Sequence, residues 1–191
     1  MTPRLVAVTD AARPLAAHLG PYRVLADALG AGLVVLVRLP GRDAREVLDW
    51  AGALLDAGHE IAIADRGDVA RARGVTRLHL GEASVSVRDA RAWMGEGAWV
   101  TRACHDPSRP DRDADAVLLS PIFTTPGKGP PLGLGAIGVA SARATVIALG
   151  GVDADRARAC LAAGAHGVAA IRACLDAPAD LARVISEATG A

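Results

Sequence analysis

Short, uninterrupted apolar runs recur along the chain, separated by longer Ala-rich stretches with amphipathic spacing. The runs stand at 5–8, 33–37, 60–64, 77–80, 99–101, 116–119, 146–149 and 167–171. Continuous apolar runs are the pattern of parallel strands, because helices cover both faces of such a sheet. The segments near 12–30, 42–57, 67–73, 86–95, 136–144 and 153–164 carry helical spacing, and a last helix is predicted near 178–189. Strand–helix alternation predicts βαβ units. Eight strands favour a closed (β/α)8 barrel, a TIM barrel, over a doubly wound open sheet. One domain spans 1–191. Such barrels usually run to about 250 residues, so this one is small, with short loops.

One crossover departs from the pattern. Nine residues separate Cys104 from Ala114, with prolines at 107 and 110. A parallel crossover normally needs a dozen or more residues with a helix, and proline disfavours one. Helix five is therefore predicted to be short or missing. The outer face of strands five and six then needs a cover, from neighbouring helices or from a second subunit in a homodimer.

Composition narrows the function classes. The 191 residues include 21 basic and 21 acidic side chains, so no basic surface for nucleic acid is expected. One Phe, one Tyr and three Trp make a base-stacking platform a poor fit. Cys104, Cys160 and Cys174 have no CxxC spacing, against a disulfide framework or structural zinc. The N-terminal MTPRLVAVTD lacks an apolar signal core, and no apolar run reaches the roughly 18 residues of a membrane span. A cytoplasmic chain without a membrane partner is expected.

In a barrel the chemistry gathers after the C-terminal ends of the strands. The residues there are Thr9 and Asp10, Arg38, Asp65 and Arg66, Gly81 and Glu82, Arg102 to His105, Ser120 to Lys128, Gly150 and Gly151, and Arg172. The ALGGV at strand seven lets backbone N–H groups of Gly150 and Gly151 approach an anion. A short helix starting near Arg172 suits a phosphate by dipole and guanidinium together. Lys128, the chain's only lysine, lies in the Gly/Pro-rich loop after strand six, with Thr124 and Thr125 nearby. Small phosphorylated metabolites are the expected partners. His105 at the mouth reads equally as an acid–base group or a structural one, and His79, within its strand, reads as structural. His18, His59 and His166 read as surface or turn positions, and Cys160 and Cys174 as helix-packing residues.

The blocks HLGE, CH, DAVLLSPIFTTPGKG, VIALGGV and AGAHGVAAI, in this order, resemble the thiamine phosphate synthase/TenI superfamily over nearly the whole chain. The resemblance implies that a pyrimidine diphosphate ionises and a thiazole phosphate nitrogen captures the carbocation, within a magnesium–diphosphate clamp. It places Arg38 on the diphosphate, Asp65 on magnesium, Thr125 and Lys128 in the phosphate loop, and Gly150 and Gly151 on the thiazole phosphate. His79 and His105 also fall on family positions. Ser120 precedes the proline of the same loop.

The chain departs from the family pattern at Leu36, Pro40, Ala64, Ser84, Ala103, Gly127 and Arg172. Ser84 stands where a second magnesium carboxylate is expected, and Glu82, two residues earlier, is the candidate replacement. Arg172 replaces a Ser after strand eight and can compensate by charge. Two alternatives stay open: a TenI-like thiazole tautomerase working by proton transfer, and a non-catalytic binder of a phosphorylated metabolite.

Overall fold

The structure, a computed structural model, describes residues 1–190. Eight parallel strands close into one barrel in sequence order: β1 Leu5–Val8, β2 Leu33–Val37, β3 Ile61–Ala64, β4 Arg77–Leu80, β5 Trp99–Cys104, β6 Ala116–Leu119, β7 Val146–Leu149 and β8 Gly167–Ala170. β1 closes the ring on β8, with Leu5 opposite Val168. The helices are α1 Ala16–Leu29, α2 Ala44–Asp56, α3 Gly67–Ala72, α4 Val87–Met94, α5 Gly135–Ser141, α6 Ala154–Ala162, α7 Arg172–Asp176 and α8 Pro178–Thr189. No described helix is long and apolar enough to cross a membrane.

Alternate strand residues form two separate cores. Val6, Val8, Val34, Leu36, Ala62, Ala116, Leu118, Ile147 and Ala169 fill the barrel interior. The intervening residues, such as Leu5, Val35, Ile63, Val117 and Val168, pack outward in the larger core shared with the helices. Period-two alternation between two apolar environments is why each strand reads as an unbroken run. Three helix starts are capped by side chains: Asp43 accepts from Glu46 N at 2.9 Å, Ser86 from Asp89 N at 3.1 Å, and Asp153 from Arg156 N at 2.9 Å. Pro178 opens α8, where a missing N–H costs nothing.

The β5–β6 crossover has no helix, as the two prolines predict. Its expected consequence, an under-covered sheet, does not follow. Val100, Cys104, Val117 and Leu119 face outward and are buried by the chain's own loop and neighbours. Polar ties replace helix packing. Asp115 accepts from Arg91 at 2.8 Å and from Val100 N at 2.7 Å, Arg143 donates to Ser108 O, and Pro110 is buried.

Two sequence expectations need correction. β5 runs three residues beyond its apolar run, so Arg102 lies inside the strand and not in the loop after it. His18 and His59 are buried, not surface residues. His18 accepts from Asp10 N at 3.0 Å through Nε2, and its Nδ1 meets Pro14 O at 3.1 Å, so both ring nitrogens are served far from water. Burial pushes the His18 and His59 pKa values down. Cys160 and Cys174 are buried as read, and desolvation raises both thiols, Cys160 to about 11.

Candidate active site

The strands deliver their polar side chains to one end of the barrel. At the tip of β1, Thr9 is buried and makes a two-way clasp on the tip of β2. Its Oγ1 accepts from Arg38 N at 2.9 Å and donates to Arg38 O at 3.0 Å. The clasp satisfies both backbone groups of Arg38 and leaves its guanidinium on the exposed rim. Arg13, following β1, pairs with Asp10 at 3.5 Å and with Asp176 of α7 at 2.7 Å, tying the first strand's loop to the last.

Asp65 follows β3 in the left-handed region at φ 57, the only described non-glycine there. Its N–H donates to His79 O at 2.8 Å. Its carboxylate is held from the β4 side: Gly81 N–H donates to Oδ1 at 2.8 Å, and the Ser84 hydroxyl donates to the same oxygen. Both bonds fall on Oδ1, so Oδ2 keeps its lone pairs for another partner. His79 lies beneath, buried inside the barrel, sharing a 3.0 Å hydrogen bond with Thr101 across the β4–β5 register. Desolvation pushes its pKa down to about 4. Asp65 opposes this shift, and the Arg38 and Arg102 charges reinforce it.

Glu82 turns toward His105 instead of joining Asp65. Its Oε1 accepts from His105 N at 2.8 Å and lies 3.0 Å from His105 Nδ1. Burial raises the Glu82 pKa, but the hydrogen bonds from His105 outweigh it and leave the carboxylate below its ordinary value. Among the described residues no three His, Cys, Asp or Glu side chains gather as a metal cage. The donor set fits a magnesium ion in a narrower sense. Mg2+ is commonly held by one or two carboxylates plus substrate phosphates and water, and Asp65 offers one.

The β6–β8 side of the mouth is built of backbone. Ser120 is buried and precedes Pro121 through a cis peptide bond. The loop beyond extends the ladder: Ile122 N donates to Leu149 O at 2.9 Å and Phe123 N to Gly150 O at 3.0 Å. A Cβ on Gly150 would stand 2.7 Å from Pro121 Cα, and one on Gly151 would stand 3.0 Å from Phe123 Cβ. Both glycines have positive φ, 103 and 66. The pair read as an anion cradle thus also seats the β6 loop. Thr125 donates to Phe123 O at 3.0 Å, within a turn closed by Lys128 N on Thr125 O at 3.1 Å. Lys128 and, at the start of α7, Arg172 are exposed. The Thr9 clasp on Arg38, the tether on Asp65 and the Glu82–His105 pair thus brace one side of the mouth, whereas Lys128 and Arg172 are exposed on the other.

A closed parallel barrel with this polar mouth defines the chain as a (β/α)8-barrel protein. A family model described as thiamine monophosphate synthase matches residues 5–174. A thiamine-phosphate synthase of Mycobacterium tuberculosis is 34% identical over 196 residues, covering 89% of this chain and 86% of that protein. A putative thiamine-phosphate synthase of Geobacter sulfurreducens is 34% identical over 163 residues, covering 78% and 76%. Among solved structures, a thiamine phosphate pyrophosphorylase from Pyrococcus furiosus superposes with a TM-score of 0.78 at 20% identity, covering 98% of this chain and 97% of that one. The chain belongs to the thiamine monophosphate synthase family.

Proposed function

We propose that this barrel joins a pyrimidine diphosphate to a thiazole phosphate and releases diphosphate. Family membership supports the reading, and the observation that carries it is the Asp65 carboxylate, gripped at Oδ1 by Gly81 N–H and the Ser84 hydroxyl with Oδ2 left open at the barrel mouth. In this reaction the bond from the pyrimidine methylene carbon to the diphosphate oxygen breaks heterolytically. The thiazole nitrogen's lone pair then forms the new C–N bond. Barrier lowering comes from stabilising the departing negative charge, and preorganised donors supply it. Arg38, fixed by the Thr9 clasp, neutralises that charge. Asp65 would hold a magnesium ion through its open Oδ2, and that ion would supply Lewis-acid stabilisation of the diphosphate oxygens. His79 is a neutral hydrogen-bonding floor. Lys128 and Thr125 close over the phosphates, with Ser120 behind them, and Gly150, Gly151 and Arg172 receive the thiazole phosphate.

Calorimetry tests the reading with each substrate alone, with and without magnesium. Magnesium-dependent binding of the pyrimidine diphosphate and turnover with both substrates are expected. Binding of neither refutes it. One observation favours a second reading, proton transfer on a thiazole phosphate: Glu82 braces His105 Nδ1 and leaves Nε2 for a substrate proton. Solvent-deuterium exchange into thiazole phosphate alone would select that reading.

A further inference from the structure

Arg102 is charged, lies within β5 and points outward, where its neighbours Val100 and Cys104 are buried among apolar side chains. Its side chain is only 14% exposed. A guanidinium in such a place must find acceptors. It finds them on one loop. Nη1 donates to Val85 O at 2.6 Å, and Nη2 donates to Glu82 O at 2.8 Å and Ser84 O at 3.3 Å. Asp111, from the helix-less crossover, lies 3.7 Å from Nε. The loop clamped in this way, residues 81–86, supplies the Gly81 N–H and Ser84 hydroxyl that grip Asp65 Oδ1, and the Glu82 carboxylate that braces His105.

We propose that Arg102 is a positioning residue of the site: by fixing the carbonyls of Glu82, Ser84 and Val85 it sets the direction of the Asp65 carboxylate. It touches neither substrate nor metal. The loop carries no regular structure of its own between β4 and α4, so carbonyls pinned from β5 are what hold its donors in register with Asp65. A planar fork reaches several carbonyls from one stem, and a lysine ammonium does not reproduce that geometry. The crossover without a helix acquires a purpose here, since its Asp111 balances the fork's charge where a helix would have stood.

The inference rests on Asp65 serving the phosphorylated substrate, so its test carries one readout that does not. In R102M and R102K, amide exchange at Gly81 should accelerate, because its acceptor swings free, while the melting temperature of R102K stays near that of the parent. In the same variants, calorimetry with Mg2+ and inorganic diphosphate should show about 10–100-fold weaker binding, the usual cost of losing an outer partner of a metal ligand. S84A, which cuts the tether at Asp65 directly, should weaken binding in the same direction. R102K/S84A should fall short of the sum of the two single losses, because they share one route. Unchanged Gly81 exchange in folded R102K overturns the proposal, as does full additivity of the double variant. Failure of the parent protein to bind Mg2+ and diphosphate at all counts instead against the proposed function, and Gly81 exchange still decides the role of Arg102.

Discussion

The two halves of the barrel mouth are organised differently. From β1 to β5 each mouth residue is held by a partner on a neighbouring strand's loop: Thr9 holds the Arg38 backbone, Gly81 and Ser84 hold the Asp65 carboxylate, and Glu82 holds His105. From β6 to β8 the surface is backbone, shaped by cis Pro121 and two left-handed glycines, and its charged groups are exposed. The first half is preorganised to act on charge. The second half is fixed in shape by its backbone, and its charged side chains stand exposed. Variants in the first half should therefore hurt turnover more than stability, and variants in the second should separate by whether they touch backbone or a projecting side chain.

The largest effect is expected at Asp65. Asp65→Asn keeps the left-handed backbone that Asn tolerates, so melting should hold while turnover falls about 100–1,000-fold, the scale of one lost electrostatic group. Steady-state kinetics beside a thermal melt checks this, and near-parental turnover would remove Asp65 from the site. On the other half, Gly150→Ala meets both the positive φ and the Pro121 backbone, so a loss of about 3 kcal/mol in denaturant unfolding is expected.

A comparable effect follows from pH. Burial lowers the His79 pKa from the ordinary 6.5 to about 4. As pH falls from about 6.5 towards 4, the unfolded chain takes up this proton before the folded one does, so stability drops through that window. Below it the contribution is lost in full, roughly 3 kcal/mol. His18 and His59, also lowered by burial, add slope of the same sign. Urea midpoints at pH 7 and 4.5 should differ less in His79→Gln than in the parent, and equal differences would contradict the assignment. The smallest effect belongs to Lys128→Ala. Stability should stay within about 0.5 kcal/mol, as for exposed positions, with a rise in KM for the diphosphate substrate and kcat nearly unchanged.

The barrel was legible because every strand had apolar surroundings on both faces, and the missing helix because Pro107 and Pro110 forbid one locally. The end of β5 was not. An arginine interrupts the apolar run, and three carbonyls from another loop, with Asp111 beside them, make it tolerable inside a strand. His18 and His59 misled for the same reason: neither the Asp10 N–H on His18 nor the packing of Tyr22 against both rings is written in local composition. The mouth residues were found by their place after each run. Their pairings, Glu82 with His105 and Ser84 with Asp65, depend on how two loops fold back, which spacing does not encode.

The single lysine has a practical consequence. Lys128 carries the chain's only lysine amine. It lies in the mouth loop, at the opposite end of the barrel from Arg77, which opens β4. A lysine-directed reagent therefore marks the mouth loop alone. A fluorophore placed on the mouth would report ligand entry without any engineered residue.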